Sequence, residues 1–261
     1  MRESIESLYN YRGLLWAFTV RNIMMKYKQT VMGFLWALFM PMVIVLSGVV
    51  VKVAMAKFSG KSVELSSLAS VMVKSLPWAF FVGALKFSVN SLVGNINIFT
   101  KIYFPRVIFP LSYVIGQLFD FCIAAVIFIV VLVFVHVGVS IYLLWLPLLL
   151  LFMILFTAGL GILFSCANLF FRDFKYIIDV LLTFGIFFTP VYFEAKLLGR
   201  WAYILLLNPI GSILEGINDV VVLHQAPETG WFLYAGVVSI ATFVGSWILF
   251  HKVEPLFAEK A

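Results

Sequence analysis

The stretch Gly33 to Val51, GFLWALFMPMVIVLSGVVV, carries no charged residue across nineteen positions. A helix that crosses the roughly 30 Å hydrocarbon layer of a bilayer needs about 20 mostly apolar residues, so this run reads as a first membrane span. Similar runs recur along the chain. Val107 to Val135 holds Asp120 as its single charge, Ile141 to Phe171 holds none, and Trp231 to Phe250 holds none. Leu76 to Ile98 is interrupted by Lys86, Asn90, Asn95 and Asn97 and is expected to face protein or a water-filled path rather than lipid. Tyr176 to Phe193 gives a short fifth span.

Between the fifth and sixth runs, Trp201 to Leu223 begins apolar, breaks at Asn208-Pro209 and then carries Glu215 and Asp219. Two short helices dipping partly into the membrane suit that pattern better than a full crossing, although a seventh crossing is the alternative. The expected fold is therefore an all-α integral membrane domain occupying residues 1–261. It comprises an interfacial helix in residues 1–30 and a six-span core over 31–254, with an external re-entrant segment at 194–228.

Composition supports this reading. Of 261 residues, 64% are hydrophobic and 11% charged, against about 25% charged in a soluble domain. The net charge of +6 is spread over short connecting segments rather than gathered into a stripe, so nucleic acid is not the expected partner. The basic start has no small-residue cleavage site after a short apolar core, and no removable signal peptide is expected. Cys122 and Cys166 fall inside apolar runs and read as buried free thiols.

With the N-terminus inside, the cytoplasmic segments hold Arg2, Arg12, Arg21, Lys26, Lys28, Lys101, Arg106, Arg172, Lys175, Lys252 and Lys260. The outer segments hold Lys52, Lys57, Lys61, Lys74, Lys196 and Arg200. The excess of basic residues on the first side orients both termini toward the cytoplasm.

No phosphate loop, metal-binding H-E-x-x-H pair, nucleophile elbow or dinucleotide turn occurs, so the chain reads as a non-enzyme. Energy for any transport has to come from a partner or an ion gradient. Only Lys86, Asp120 and Asp179 place ionisable groups within the spans, which is thin for a proton relay. For Lys86 and Asp120 the expectation is a mutual salt bridge, or Lys86 facing a phosphate in the path.

Leu8, Tyr11, Leu15 and Phe18 recur at steps of three and four, with Arg21, Lys26 and Lys28 at headgroup level, as an interfacial helix requires; a simple basic anchor for span one is the alternative. The string RNIMMKYKQTVMGFLWALFMP, Arg21 to Pro41, resembles the opening of the ATP-binding-cassette polysaccharide exporter permeases. LFFRDFKYIIDVLLTFGIFFTPVYF, Leu169 to Phe193, is similar to that family's Arg-Asp turn and short Thr-Pro-ended span. LNPIGSILEGIND, Leu207 to Asp219, resembles its Asn-Pro external segment.

Three linked strings in order cover nearly the whole chain, and the best likeness is to the O-antigen type. The resemblance implies a bacterial plasma-membrane subunit that exports a lipid-linked polysaccharide, an undecaprenyl-diphosphate-linked glycan. It also implies a homodimer working with two copies of a separate nucleotide-binding subunit that holds ATP and Mg2+. A teichoic acid, capsule or drug exporter of the same superfamily is the near alternative, and an ion-coupled carrier or channel without an ATPase the distant one.

The same resemblance makes the inner segment between spans two and three a coupling helix. Tyr103 and Phe104 would be its anchors in the ATPase groove, Lys101 and Arg106 its charged contacts, and Pro105 would stiffen it; positive charges on an ordinary inner loop are the alternative. Arg172 and Asp173, and Asn208 with Pro209, are read as structural turns. Candidates for the substrate path are Tyr9, Arg12, Trp16, Arg21, Lys26, Tyr27 and Lys28 on the inside, Lys86 within a span, and Phe187, Tyr192 and Trp201 outside. The orientation has a direct check: a cysteine introduced at Lys175 should escape an impermeant thiol reagent in intact cells and react after permeabilisation, and labelling in intact cells would reverse the topology.

Overall fold

The computed structural model describes residues 6, 8–28, 30, 32–33, 35–60, 65–99, 104–134 and 136–257. Among these, all regular structure is helical. The elements are α1 (Arg12–Tyr27), α2 (Leu35–Ser59), α3 (Leu65–Val89), α4 (Ile108–Phe134), α5 (Leu146–Phe170), α6 (Phe174–Gly185), α7 (Pro209–Val221) and α8 (Thr229–Val253). Five helical stretches, containing α2, α3, α4, α5 and α8, are long and apolar enough to cross a membrane. Six spans were expected, the fifth of them short. The difference lies in α6, whose 12 residues reach only about 18 Å at 1.5 Å per residue. A 3-10 turn, Ile186–Phe188, continues from α6 and stops at Thr189, whose extended backbone, φ −125° and ψ 137°, is the conformation favoured before Pro190.

The second span also shifts. It begins at Leu65 rather than Leu76 and stops at Val89, so Lys74, assigned above to an outer segment, sits inside a long helix. Asn90, Asn95 and Asn97 lie beyond its end. The Asn95 side chain donates to the Ser91 carbonyl at 2.8 Å, a local bond that competes with helix continuation. Lys52 and Lys57 likewise fall within α2. Cys166 is buried as expected, whereas Cys122 lies on the exposed side of α4.

Helix α3 is the most enclosed of the long helices and carries the core. Trp78, Phe80, Phe81, Ala84 and Leu85 pack with Phe152, Met153 and Phe156 of α5 and with Ile210, Ile213 and Leu214 of α7. The Phe81 and Phe156 rings stack at 6.1 Å. Helix α7 is almost wholly buried although it is short and polar at one edge. At the opposite end Phe18, Phe104, Phe109, Trp247, Phe250 and Phe257 form a second core.

Two glycines let α5 approach neighbours on both sides, because residues two apart on a helix point about 200° apart. A Cβ on Gly159 would stand 2.8 Å from the Phe243 backbone nitrogen of α8, and one on Gly161 would stand 3.1 Å from Ser88 of α3. Backbone cannot yield as a flexible side chain can, so Gly159→Ala should cost about 1–3 kcal/mol through overpacking. Gly245→Ala, which meets nothing within 4 Å, should be neutral or better. Thermal unfolding of the detergent-solubilised protein, followed by size-exclusion fluorescence, distinguishes the two.

Candidate functional site

Helix α1 runs along the first half of α4 in the same direction. The Phe18 ring meets Phe109 at 5.0 Å, the Asn22 amide donates to Ser112 Oγ at 2.9 Å, and Lys26 and Tyr27 both donate to the Asp120 carboxylate. Ser112, Gly116 and Asp120 follow steps of four, so they form one stripe on α4, and Ile23 covers Gly116. Lys26 also donates to Gln117 Oε1 at 3.3 Å. Arg21 lies 4.5 Å over the Phe18 ring and donates to Asn95 Oδ1 at 2.7 Å. The basic residues expected at headgroup level thus include two, Arg21 and Lys26, that are committed to holding α1 against the bundle. Lys28 stays exposed, and Arg12 lies over the Tyr9 ring at 4.6 Å.

Asp120 is therefore not paired with Lys86. The Lys86 ammonium stands 3.7 Å from Asp179 of α6, on a different side of α3, while the Asp120 side chain is 4% exposed beneath Lys26. Leaving a buried carboxylate without its cation costs about 3–5 kcal/mol, which explains why two donors converge on it. Burial, and then the neighbouring carboxylate, holds the Tyr27 phenol well above its ordinary pKa, so it remains a hydrogen-bond donor to Asp120.

Of the expected coupling segment, Lys101 and Tyr103 lie outside the described residues. Phe104 is 4% exposed and packs on Phe18 at 6.0 Å and Phe109 at 5.4 Å, so its ring is already covered by this chain and is not free to anchor a partner. Beside it, Pro105 is half-buried. The Arg106 backbone N–H donates to Glu254 Oε1 at 3.0 Å, and its guanidinium donates to the Glu254 carbonyl at 2.8 Å. The N-terminal helix, the start of α4 and the end of the chain's last helix thereby become one packed unit.

The opposite end of the bundle has its own ionic tie, which sequence reading missed. Lys74, 1% exposed, donates to the Phe193 carbonyl at 2.7 Å and stands 3.6 Å from Glu215 of α7. Glu215 in turn accepts from the Ala195 N–H at 2.6 Å. Asp219 accepts from Gln225 at 2.7 Å and lies 3.6 Å from Lys196. The signal for Lys74 was available: Leu65 to Val73 contains no charge, which permits an earlier helix start.

Among the outer path candidates, Tyr192 is buried, with its hydroxyl 2.7 Å from Ser47 Oγ, so it ties the loop after α6 to α2 and lines no open surface. Phe187 and Trp201 are exposed, as are Tyr9 and Trp16 at the other end. Arg172 and Asp173 occupy the α5–α6 turn with exposed side chains, and Asp173 makes no side-chain cap. Asn168 fastens that turn instead, accepting from the Lys175 N–H at 3.2 Å and donating to the Val89 carbonyl at 3.1 Å. Asn208 donates to Thr189 Oγ1 at 3.1 Å, and Pro209 opens α7 at its first turn, where a missing N–H is harmless.

Known proteins resemble this chain over nearly its whole length. The chain is 24% identical over 258 residues to the O-antigen export system permease protein RfbA of Myxococcus xanthus, covering 98% of both. A protein of the same name from Klebsiella pneumoniae is 27% identical over 265 residues, covering 98% of this chain and 99% of its own. A second one from that organism is 25% identical over 253 residues, covering 94% of each. Residues 13–222 match the ABC-2 type transporter family. That match takes in α1 through α7, including the Asp120 tie and the Lys74 tie, and the chain belongs to the ABC-2 type transporter family.

Proposed function

We propose that this chain is the transmembrane subunit of an ATP-driven exporter that moves a lipid-linked polysaccharide, O-antigen-like and undecaprenyl-diphosphate-linked, across the bacterial inner membrane. The observation that carries the reading is the end-to-end likeness to three O-antigen export permeases, which extends over 94% or more of each chain. Family membership supports a separate nucleotide-binding subunit, which would hold ATP and Mg2+, and an assembly of two permeases with two ATPases.

In this reading α6 and the residues that follow it make the short fifth of six crossings. The α7 region then dips into the outer leaflet, and both termini face the cytoplasm. Arg172 and Lys175 at one end of α6 and Lys196 and Arg200 beyond the other suit such a crossing, since snorkelling cations mark both interfaces of a short span. The exposed Tyr9, Arg12, Trp16 and Lys28 give the inner end a cationic, aromatic face for an anionic diphosphate and its first sugars. Phe187 and Trp201 offer exposed rings on the outside. An ion-coupled carrier finds less support: Lys74, Lys86 and Asp120 within the long helices each have an ionic partner, which leaves them committed rather than poised as a relay.

Deleting the gene should abolish display of the surface glycan while the lipid-linked precursor accumulates inside. The purified chain should also bring down a nucleotide-binding subunit with vanadate-sensitive ATPase activity. A stable complex without ATPase activity, or undiminished surface glycan, would contradict the reading.

A further inference from the structure

The turn between α5 and α6 keeps its shape without help from the side chains of Arg172 and Asp173. Asn168, 1% exposed, fastens it through the Lys175 N–H and the Val89 carbonyl. The backbone closes it, with the Phe174 N–H donating to the Phe171 carbonyl at 2.9 Å and the Tyr176 N–H to the Asp173 carbonyl at 3.0 Å. The Arg172 and Asp173 side chains are exposed, and neither has a hydrogen-bond or ionic partner among the described residues. Beside them Phe171 is 72% exposed. We propose that Phe171, Arg172 and Asp173 form a docking surface for the nucleotide-binding subunit, an assignment that rests on the export function and the orientation above.

The end of α5 presents this turn at the membrane's edge. With 25 residues, α5 is about 37 Å long at 1.5 Å per residue, which exceeds the roughly 30 Å of hydrocarbon. Phe170 turns inward onto the Phe257 ring at 6.0 Å, and the Arg106 guanidinium lies 5.7 Å over that same ring. The turn therefore sits beside the end of the 101–106 segment, and the two form neighbouring parts of one surface. Phe104, the anchor expected from the sequence, is covered by Phe18 and Phe109, and Phe171 offers an aromatic ring in its place.

The chemistry of the turn favours a folded partner over lipid. Arg172 and Asp173 cancel in net charge, and Asp173 would be repelled by the anionic inner leaflet. Lys175, the other cation of the turn, is folded back 4.8 Å over the Tyr176 ring. A protein can meet Arg172 with a carboxylate and Asp173 with a cation, around an apolar recess for Phe171. Aromatic and arginine side chains are the types that carry most of the binding energy in such contacts. Because Asn168 already holds the turn, docking orders little that is loose beforehand.

The test is photo-cross-linking of the assembled complex with Phe171→p-benzoylphenylalanine in the otherwise unaltered chain. Ultraviolet light should join the permease to the nucleotide-binding subunit. Arg172→Glu, which leaves two adjacent carboxylates on the turn, should weaken binding of the purified ATPase to the permease in nanodiscs by about 5- to 30-fold, the factor that 1–2 kcal/mol represents.

An adduct with phospholipid alone, or with a second permease, overturns the docking surface, as does an absence of ATPase adduct in a complex that contains the ATPase. Unchanged binding by Arg172→Glu overturns it as well. If that variant fails to accumulate, the adduct at position 171 decides. Failure of the unaltered permease to recover any ATPase would remove the export reading itself, which separates the two failures.

Discussion

A carboxylate in the middle of an apolar helix sets the terms for the packing of α1 in this protein. Asp120 lies within α4 and is nearly inaccessible, and an ionised group there is tolerable only if a cation reaches it with good geometry. Lys26 does so from α1, with Tyr27 adding a second donor. Once those two residues are fixed on α4, the rest of α1 follows in register: Asn22 falls on Ser112 and Phe18 on Phe109. Phe104 then closes over Phe18, and Arg106 catches Glu254. The residues before α4 and the end of α8 are thus held in one body with α1. A movement imposed on the start of α4 by a partner would carry α1 with it.

The opposite end of the bundle repeats the device with different parts. Lys74 is buried in α3 and is satisfied by the Phe193 carbonyl and Glu215, which fastens both α7 and the segment after α6 to the same helix. The Lys74 tie cross-links a short, otherwise marginal helix to a long one, since α7 is too brief to be stable on propensity alone. Helix α3 stands between the two, packed through Gly161 and Ser88 onto α5, and it is the element both ends share. The ionic ties supply register more than net stability, because the desolvation of two charges offsets much of their attraction.

Much of this was legible in the sequence and some of it was not, for identifiable reasons. Four long uncharged or singly charged runs located α2, α4, α5 and α8, because helix length and bilayer thickness leave little freedom. The break at Asn208-Pro209 located the start of α7 through proline geometry. Three features escaped. The partner of Asp120 lies 94 residues away along the chain, and composition gives no ground for choosing Lys26 over Lys86. The start of α3 was placed too late because Lys74 read as a charge outside the span, although it is buried and paired within the helix, and Ser70 and Ser75 return their hydroxyls to backbone carbonyls one turn back. Phe104 was assigned outward for its position in a projecting segment, and the aromatic cluster that buries it is assembled from α1, α4 and α8.

The register of α1 on α4 is the point on which the inner architecture turns, and distance-dependent cross-linking measures it directly. In a background with Cys122→Ser and Cys166→Ser, the pair Asn22→Cys with Ser112→Cys should form a disulfide under mild oxidation, whereas Lys86→Cys with Asp120→Cys should not. Cross-linking of the 86–120 pair with none at 22–112 would contradict this account.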